Sequence, residues 1–213
     1  MNCTHNVELI PDVSEVAEIQ EGLCPVDWAK RCVDTARQSN CGKSVMCRDG
    51  INQLSLILND IVSGGGQPDD IALVRELCEV IASAGGCAMA EKTAGNVLFT
   101  LDKYADAWEQ HCRRKRCPAL VCRAYYAVYC VPEKCQGCTE CMKACPAGAI
   151  SGGESLICVV DEKKCVRCGK CFEVGPHEAR GKYGAVKPRL PEAPVAVGSF
   201  SSAPTRRRRR PGV

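Results

Sequence analysis

Cysteines hold a metal centre when short, fixed spacings bring their sulfurs to one point, and this chain uses such a spacing twice. Cys135, Cys138 and Cys141 are each separated by two residues, and Cys145 follows three residues further on, directly before Pro146. An offset of 30 carries Cys135 onto Cys165, Cys138 onto Cys168, Cys141 onto Cys171 and Pro146 onto Pro176. Three thiolates on a tight loop can take three corners of an iron–sulfur cubane. The fourth cysteine, the one before proline, points away and ligates the other cluster. Thiolates suit iron and sulfide because both are soft.

This crossed wiring gives one [4Fe-4S] cluster a full set: Cys145, Cys165, Cys168 and Cys171. The other keeps only Cys135, Cys138 and Cys141, because Gly175 stands where the second copy needs its cysteine. That second centre is a [3Fe-4S] cluster, a four-iron cluster with a labile iron, or one completed by Cys130, Cys158 or His177. Zinc bound at the same spacing is the competing reading.

The rest of the composition agrees with a metal protein. There are 19 cysteines in 213 residues, an odd count, and many are spaced as chelators. Such a density means either a disulfide scaffold or metal binding. Met1 to Val13 show no basic segment followed by an apolar one, so no secretory signal is expected. No apolar run approaches the ~18 residues of a membrane span. The expectation is a cytoplasmic protein with reduced thiols. The net charge of +3 arises from Arg206 to Arg210; without those five, 23 basic residues face 25 acidic ones. A body-wide nucleic-acid surface is therefore not expected.

These ligands need elements to position them. Ile51, Leu54, Leu58 and Ile61 follow helical spacing, as do Ile71, Val74, Cys78 and Ile81, and then Leu101, Tyr104, Trp108 and His111. Gly64-Gly65-Gly66 separates the first two stripes, and Pro68 with Asp69 and Asp70 suits the start of the next helix. The stripes predict a small four-helix domain. Residues 132–180 are short-element, Cys-rich and Gly-rich, with Leu156 to Val160 the best strand candidate. The fold class expected is α+β, a helical domain followed by a two-cluster domain. Past Gly181 the sequence is Pro-, Gly-, Ala- and Ser-rich without periodicity, and order is not expected there.

Asn40 to Gly50 reads N-C-G-K-S-V-M-C-R-D-G. It resembles the S-C-G-x-C-x-x-C-R-x-G signature of the helical iron–sulfur domain in the NADH-oxidising flavoprotein subunit of respiratory complex I. The same domain occurs in soluble NAD(P)-linked hydrogenases and formate dehydrogenases. The likeness continues through Gly66 to Ile71 and to Cys87-Ala88. With the ferredoxin-like repeat that follows, residues 22 to 190 look like the C-terminal part of the electron-bifurcating hydrogenase flavoprotein subunit. The resemblance implies a four-iron cluster on Cys41, Cys47 and Cys87, with Ser44 standing where the family has its remaining cysteine. It also implies structural zinc. Cys24-Pro25-Val26-Asp27 and Cys117 to Cys122 are similar to stretches that, with a histidine, hold zinc in that family, which points to Cys24, His111, Cys117 and Cys122. One His and three Cys make a closed tetrahedral site. Such a site is expected to pin the helical domain to the ferredoxin domain.

The expected organisation is a lead-in over 1–22, a helical NADH-dehydrogenase-type iron–sulfur domain over 23–112, a zinc-binding connector over 113–131, a ferredoxin-like domain over 132–180 and a basic tail over 181–213. No G-x-G-x-x-G follows a strand, so neither an FMN nor an NAD site is expected, and the chain is not expected to be catalytic alone. Up to three iron–sulfur clusters are expected. The function expected is single-electron transfer within an NAD(P)-linked complex of the hydrogenase or formate-dehydrogenase type, with a flavoprotein and other redox subunits as partners. The alternative is a zinc-stabilised binding or assembly protein that has lost some clusters. Cys3, Cys32, Cys78, Cys112, Cys130 and Cys158 are expected to be small buried apolar residues.

Overall fold

Ile51, Leu54, Leu58 and Ile61 lie fully buried along one face of a helix, as their spacing requires. The computed structural model describes residues 3–11, 22–84, 86–175 and 178–201. They divide into two compact units, Met1–Tyr126 and Ala127–Val213.

The first unit is helical. Helix α1 (Pro25–Ser39) has proline at its first position and turns Val26, Ala29, Val33 and Ala36 inward. A single π-turn, Met46–Gly50, leads into α2 (Ile51–Val62). Gly64, with φ of +98°, ends α2: its N–H bonds the Ile61 carbonyl and the Gly65 N–H bonds that of Asp60. This is the left-handed cap that glycine adopts without a Cβ clash. Helix α3 (Asp70–Ser83) buries Val74, Cys78 and Ile81 and packs on α4 (Ala88–Lys103), which also packs on α1. Each fully buried Ile or Leu of this core contributes about 1.5–3 kcal/mol.

One expectation is corrected here. The stripe from Leu101 to His111 is not one helix. Tyr104 leaves helical geometry (φ −122°, ψ 39°), and a separate helix α5 (Ala105–Cys112) carries Trp108 and His111. The described part of this unit thus has five helices instead of four. Residues 3–11 of the expected lead-in pack against the helices. The short 3-10 turn Val7–Leu9 packs on α4, Ile10 is buried, and Asn6 and Pro11 are hydrogen-bonded to Ser39 and Asn96.

The second unit carries the internal repeat into its backbone. Strand β1 (Ala127–Cys130) pairs antiparallel with β4 (Arg180–Tyr183), with Cys130 opposite Arg180. Strand β2 (Ile150–Ser151) pairs with β3 (Val159–Val160). Gly137 and Arg167 share positive φ, as do Thr139 and Gly169, each pair separated by the offset of the cysteines. Thr139 and Gly169 respectively precede helix α6 (Glu140–Ala144) and the 3-10 turn Lys170–Phe172. The strand expected at Leu156 to Val160 is regular only over Val159–Val160.

The region after Gly181 is ordered as far as it is described, contrary to expectation. Beyond β4 the chain returns so that the Ile157 N–H bonds the Val195 carbonyl and the Val197 N–H bonds that of Ser155. Val195 and Phe200 pack against the core around Ile157. Backbone bonding to residues 155–157 supplies what side-chain periodicity does not announce. The five arginines lie outside the described residues.

Candidate metal centres

Four residues from three places in the first unit converge on one point. Cys24 is the N-cap residue of α1, in extended conformation. His111 lies in the last turn of α5. Cys117 and Cys122 come from the segment after it, where Leu120, at φ of +51°, closes a turn onto the Cys117 carbonyl. All four are buried, and their ligand atoms lie within 4.8 Å of one another. The His111 Nε2 stands 3.4 Å from the Cys24 and Cys122 sulfurs, which are 3.7 Å apart. Zn–S bonds near 2.3 Å and Zn–N bonds near 2.0–2.1 Å give tetrahedral edges of about 3.8 Å between sulfurs and about 3.5 Å from sulfur to nitrogen. The donor set therefore fits a tetrahedral zinc ion in size and in chemistry.

The surroundings fix the histidine. Its Nδ1 donates to the Ala107 carbonyl one turn back, at 2.7 Å, which leaves Nε2 facing the sulfurs. The Tyr125 ring stands edge-on to the imidazole at 5.1 Å, and its hydroxyl donates to the Ile61 and His111 carbonyls. Without a metal the site holds its protons unevenly. Hydrogen bonds from Cys122 and Cys24 hold the Cys117 thiol far below its usual range. Bonding to Cys117 and Cys24, together with burial, pushes Cys122 up. Burial disfavours the charged imidazole, but the Cys117 and Cys24 sulfurs outweigh it and raise His111 to about 10. All four residues belong to the first unit.

In the same unit Cys41 is exposed, whereas Cys47 and Cys87 are buried. Burial, then the hydrogen bond to Cys87 and the neighbouring Cys87, Cys41 and Cys3 sulfurs, push Cys47 up to about 12. Ser44 accepts the Cys47 N–H through its hydroxyl oxygen at 3.5 Å. Cys32, Cys78 and Cys112 are buried, and burial raises them to about 12, 12 and 11. They are core residues.

In the second unit Cys145, Cys165, Cys168 and Cys171 all line one cavity, with Val128, Ile150 and Val160 as apolar walls. The Cys145 sulfur accepts the Ala149 N–H at 3.3 Å. Four soft donors facing one apolar space suit an iron–sulfur cluster. Cys135, Cys138 and Cys141 form the other group. A Cβ built on Gly175 would lie 3.5 Å from the Cys138 sulfur, so position 175 does face this group, without a donor. Cys158 stands 3.7 Å from Cys141, and Cys130 hydrogen-bonds with Cys135. Arg180 donates to Cys130 at 3.1 Å. Cys130 and Cys158 are thus buried among the group's own cysteines. His177 lies outside the described residues.

Known proteins share these two regions. Residues 27–111 match the family described as NADH-ubiquinone oxidoreductase-F iron-sulfur binding region. Residues 134–179 match the 4Fe-4S dicluster domain. The chain is 35% identical over 134 residues to the HndC component of the NADP-reducing hydrogenase of Solidesulfovibrio fructosivorans, covering 63% of this chain and 27% of that protein. It is 27% identical over 103 residues to the F 2 component of the NADH-quinone oxidoreductase of Rhizobium meliloti (strain 1021), covering 48% and 24%. Over 45 residues it is 47% identical to a component of the ion-translocating oxidoreductase complex of Methanosarcina acetivorans, covering 21% and 17%. The chain spans about a quarter of the length of the first two relatives. It carries two iron–sulfur binding regions in tandem. Cys24, Cys117 and Cys122 lie outside both matched regions. No described helix is long and apolar enough to cross a membrane.

Proposed function

We propose that this chain is an electron-relay module that passes single electrons within an NAD(P)-linked redox complex of the hydrogenase or formate-dehydrogenase type. The observation that carries this reading is the cavity lined by Cys145, Cys165, Cys168 and Cys171. A bound iron–sulfur cluster supplies one-electron redox chemistry there. Val128, Ile150 and Val160 give the cavity apolar walls, and the Ala149 N–H stabilises negative charge on Cys145. Cys135, Cys138 and Cys141 hold a second centre, with Arg180 as the nearby positive charge. The helical unit holds a third through Cys41, Cys47 and Cys87.

Cys24, His111, Cys117 and Cys122 hold zinc, which is structural because the site is buried and its four protein donors leave no open position. A flavoprotein and further redox subunits are the partners this reading calls for, in a cytoplasmic setting that keeps the thiols reduced.

One set of observations favours a second reading, a zinc-stabilised binding or assembly protein. The zinc-type site is complete, whereas Ser44 and Gly175 leave two cluster sets short. The two readings separate on an anaerobic absorption spectrum with iron, sulfide and zinc analysis. Electron relay requires broad visible absorbance that dithionite bleaches, together with iron and sulfide. Zinc alone, with no such absorbance after anaerobic reconstitution, rejects electron relay.

A further inference from the structure

The helical unit's cluster set is one cysteine short in its own motif, where Ser44 interrupts the spacing of Cys41 and Cys47. Another cysteine, Cys3, stands beside this set. The Cys3 N–H bonds the Gly86 carbonyl at 2.9 Å, and the Ala88 N–H bonds the Cys3 carbonyl at 2.8 Å. These two bonds bracket Cys87 and form a parallel bridge between Cys3 and Cys87. The backbone of Cys3 is thereby fixed beside a cysteine of the set. Its sulfur stands 3.7 Å from that of Cys41. Cys47 hydrogen-bonds to Cys87 and has Cys3 and Cys41 among its neighbours. The rest of the segment is anchored as well. Asn6 donates to the Ser39 carbonyl at the end of α1, just before the Cys41 loop, and Ile10 is 1% exposed in the core. Ser44, by contrast, already accepts the Cys47 N–H.

We infer that Cys3 is the fourth ligand of the helical unit's iron–sulfur cluster, completing Cys41, Cys47 and Cys87 in place of Ser44. The inference rests on the iron–sulfur reading of this unit. It adds a ligand from outside the matched region, which begins at residue 27. On binding iron, Cys3 gives up its thiol proton to solvent, from which it is only partly shielded. Soft sulfur at this corner is a better iron ligand than the harder serine oxygen.

The test compares full-length protein, reconstituted anaerobically with iron and sulfide, with Cys3→Ala, Ser44→Ala, Cys41→Ala and Cys87→Ala. The readouts are bound iron per chain and the electron paramagnetic resonance of reduced samples. Cys3→Ala is expected to match Cys41→Ala and Cys87→Ala, each losing about one to four iron atoms per chain, while Ser44→Ala keeps its iron. If Cys3→Ala keeps its iron while Cys41→Ala and Cys87→Ala lose theirs, the cluster stands and the role of Cys3 falls. If none of the three loses iron, the cluster of this unit falls with it. Alkylation of the unmutated protein gives a check that does not depend on variants folding. Cys3 should be protected from iodoacetamide in the iron-loaded protein and modified in the iron-free one. Equal modification in both, or a Cys3–Cys41 disulfide in the loaded protein, overturns the inference.

Discussion

His111 is held by Ala107, whose carbonyl accepts its Nδ1 proton at 2.7 Å and so leaves Nε2 facing Cys24 and Cys122. One backbone bond within a helix turn therefore fixes the tautomer that a metal requires. His111 is 0% exposed, and the Tyr125 ring edge closes one side of its pocket.

That arrangement predicts one zinc per chain. The double variant Cys117→Ser and Cys122→Ser should lose it and be destabilised by about 3–5 kcal/mol, because buried charge is left without its partner. Metal analysis paired with urea unfolding checks this, and zinc retained at wild-type level in the double variant counts against it.

Zinc uptake should also release protons. In the metal-free site His111 is raised to about 10 from 6.5, and Cys122 is raised as well, so at pH 7.5 both still carry protons that the metal must displace. Affinity should therefore climb as pH rises towards about 10 and fall on acidification. An indicator titration in weak buffer counts the protons, and Cys122→Ser should lower the count. Uptake with no proton release is incompatible with these ligands.

Much of this was legible in the sequence where the cause is local. The ferredoxin-like repeat is visible because its ligands lie within a few residues of one another, and Ile51, Leu54, Leu58 and Ile61 declare a buried face by spacing alone. The break at Tyr104 was hidden because Leu101, Trp108 and His111 keep helical spacing across it and no Gly or Pro marks it. Cys3 carried no signal, since a bridge to Cys87 and a contact with Cys41 are long-range facts. The ordering of Val195 and Phe200 depends on backbone bonds to residues 155–157, which leave no trace in side-chain pattern.

The returning segment should matter to stability. Removing residues 190–213 takes away Val195, Phe200 and two backbone bonds over Ile157, with an expected loss of about 2–4 kcal/mol from the apolar part. Thermal unfolding of the second unit's clusters, followed by their visible absorbance, should shift down accordingly. An unchanged transition means the segment contributes nothing to this core.

The group of Cys135, Cys138 and Cys141 should be the labile one, because position 175 faces Cys138 without a donor. Gly175→Cys places a sulfur there, although its φ of +78° makes the substitution strained. Despite that strain, about one more iron per chain is expected, with any three-iron signal of the oxidised protein converted to a four-iron signal on reduction. Persistence of the three-iron signal would mean that a cysteine at 175 does not reach the open corner, whereas absence of any three-iron signal from the unmutated protein would mean that Cys158 or Cys130 already occupies it.

The crossed set of Cys145, Cys165, Cys168 and Cys171 is the centre of the electron-relay account, and electron paramagnetic resonance of dithionite-reduced Cys145→Ala beside Cys135→Ala tests it most directly. Cys145 lines the same cavity as the three cysteines of the second copy, twenty or more residues away in sequence. Its removal should abolish most of the stable reduced signal, while Cys135→Ala removes less. A Cys145→Ala spectrum as intense as that of the unmutated protein would contradict both the crossed wiring and the assignment of this cavity as the robust cluster site.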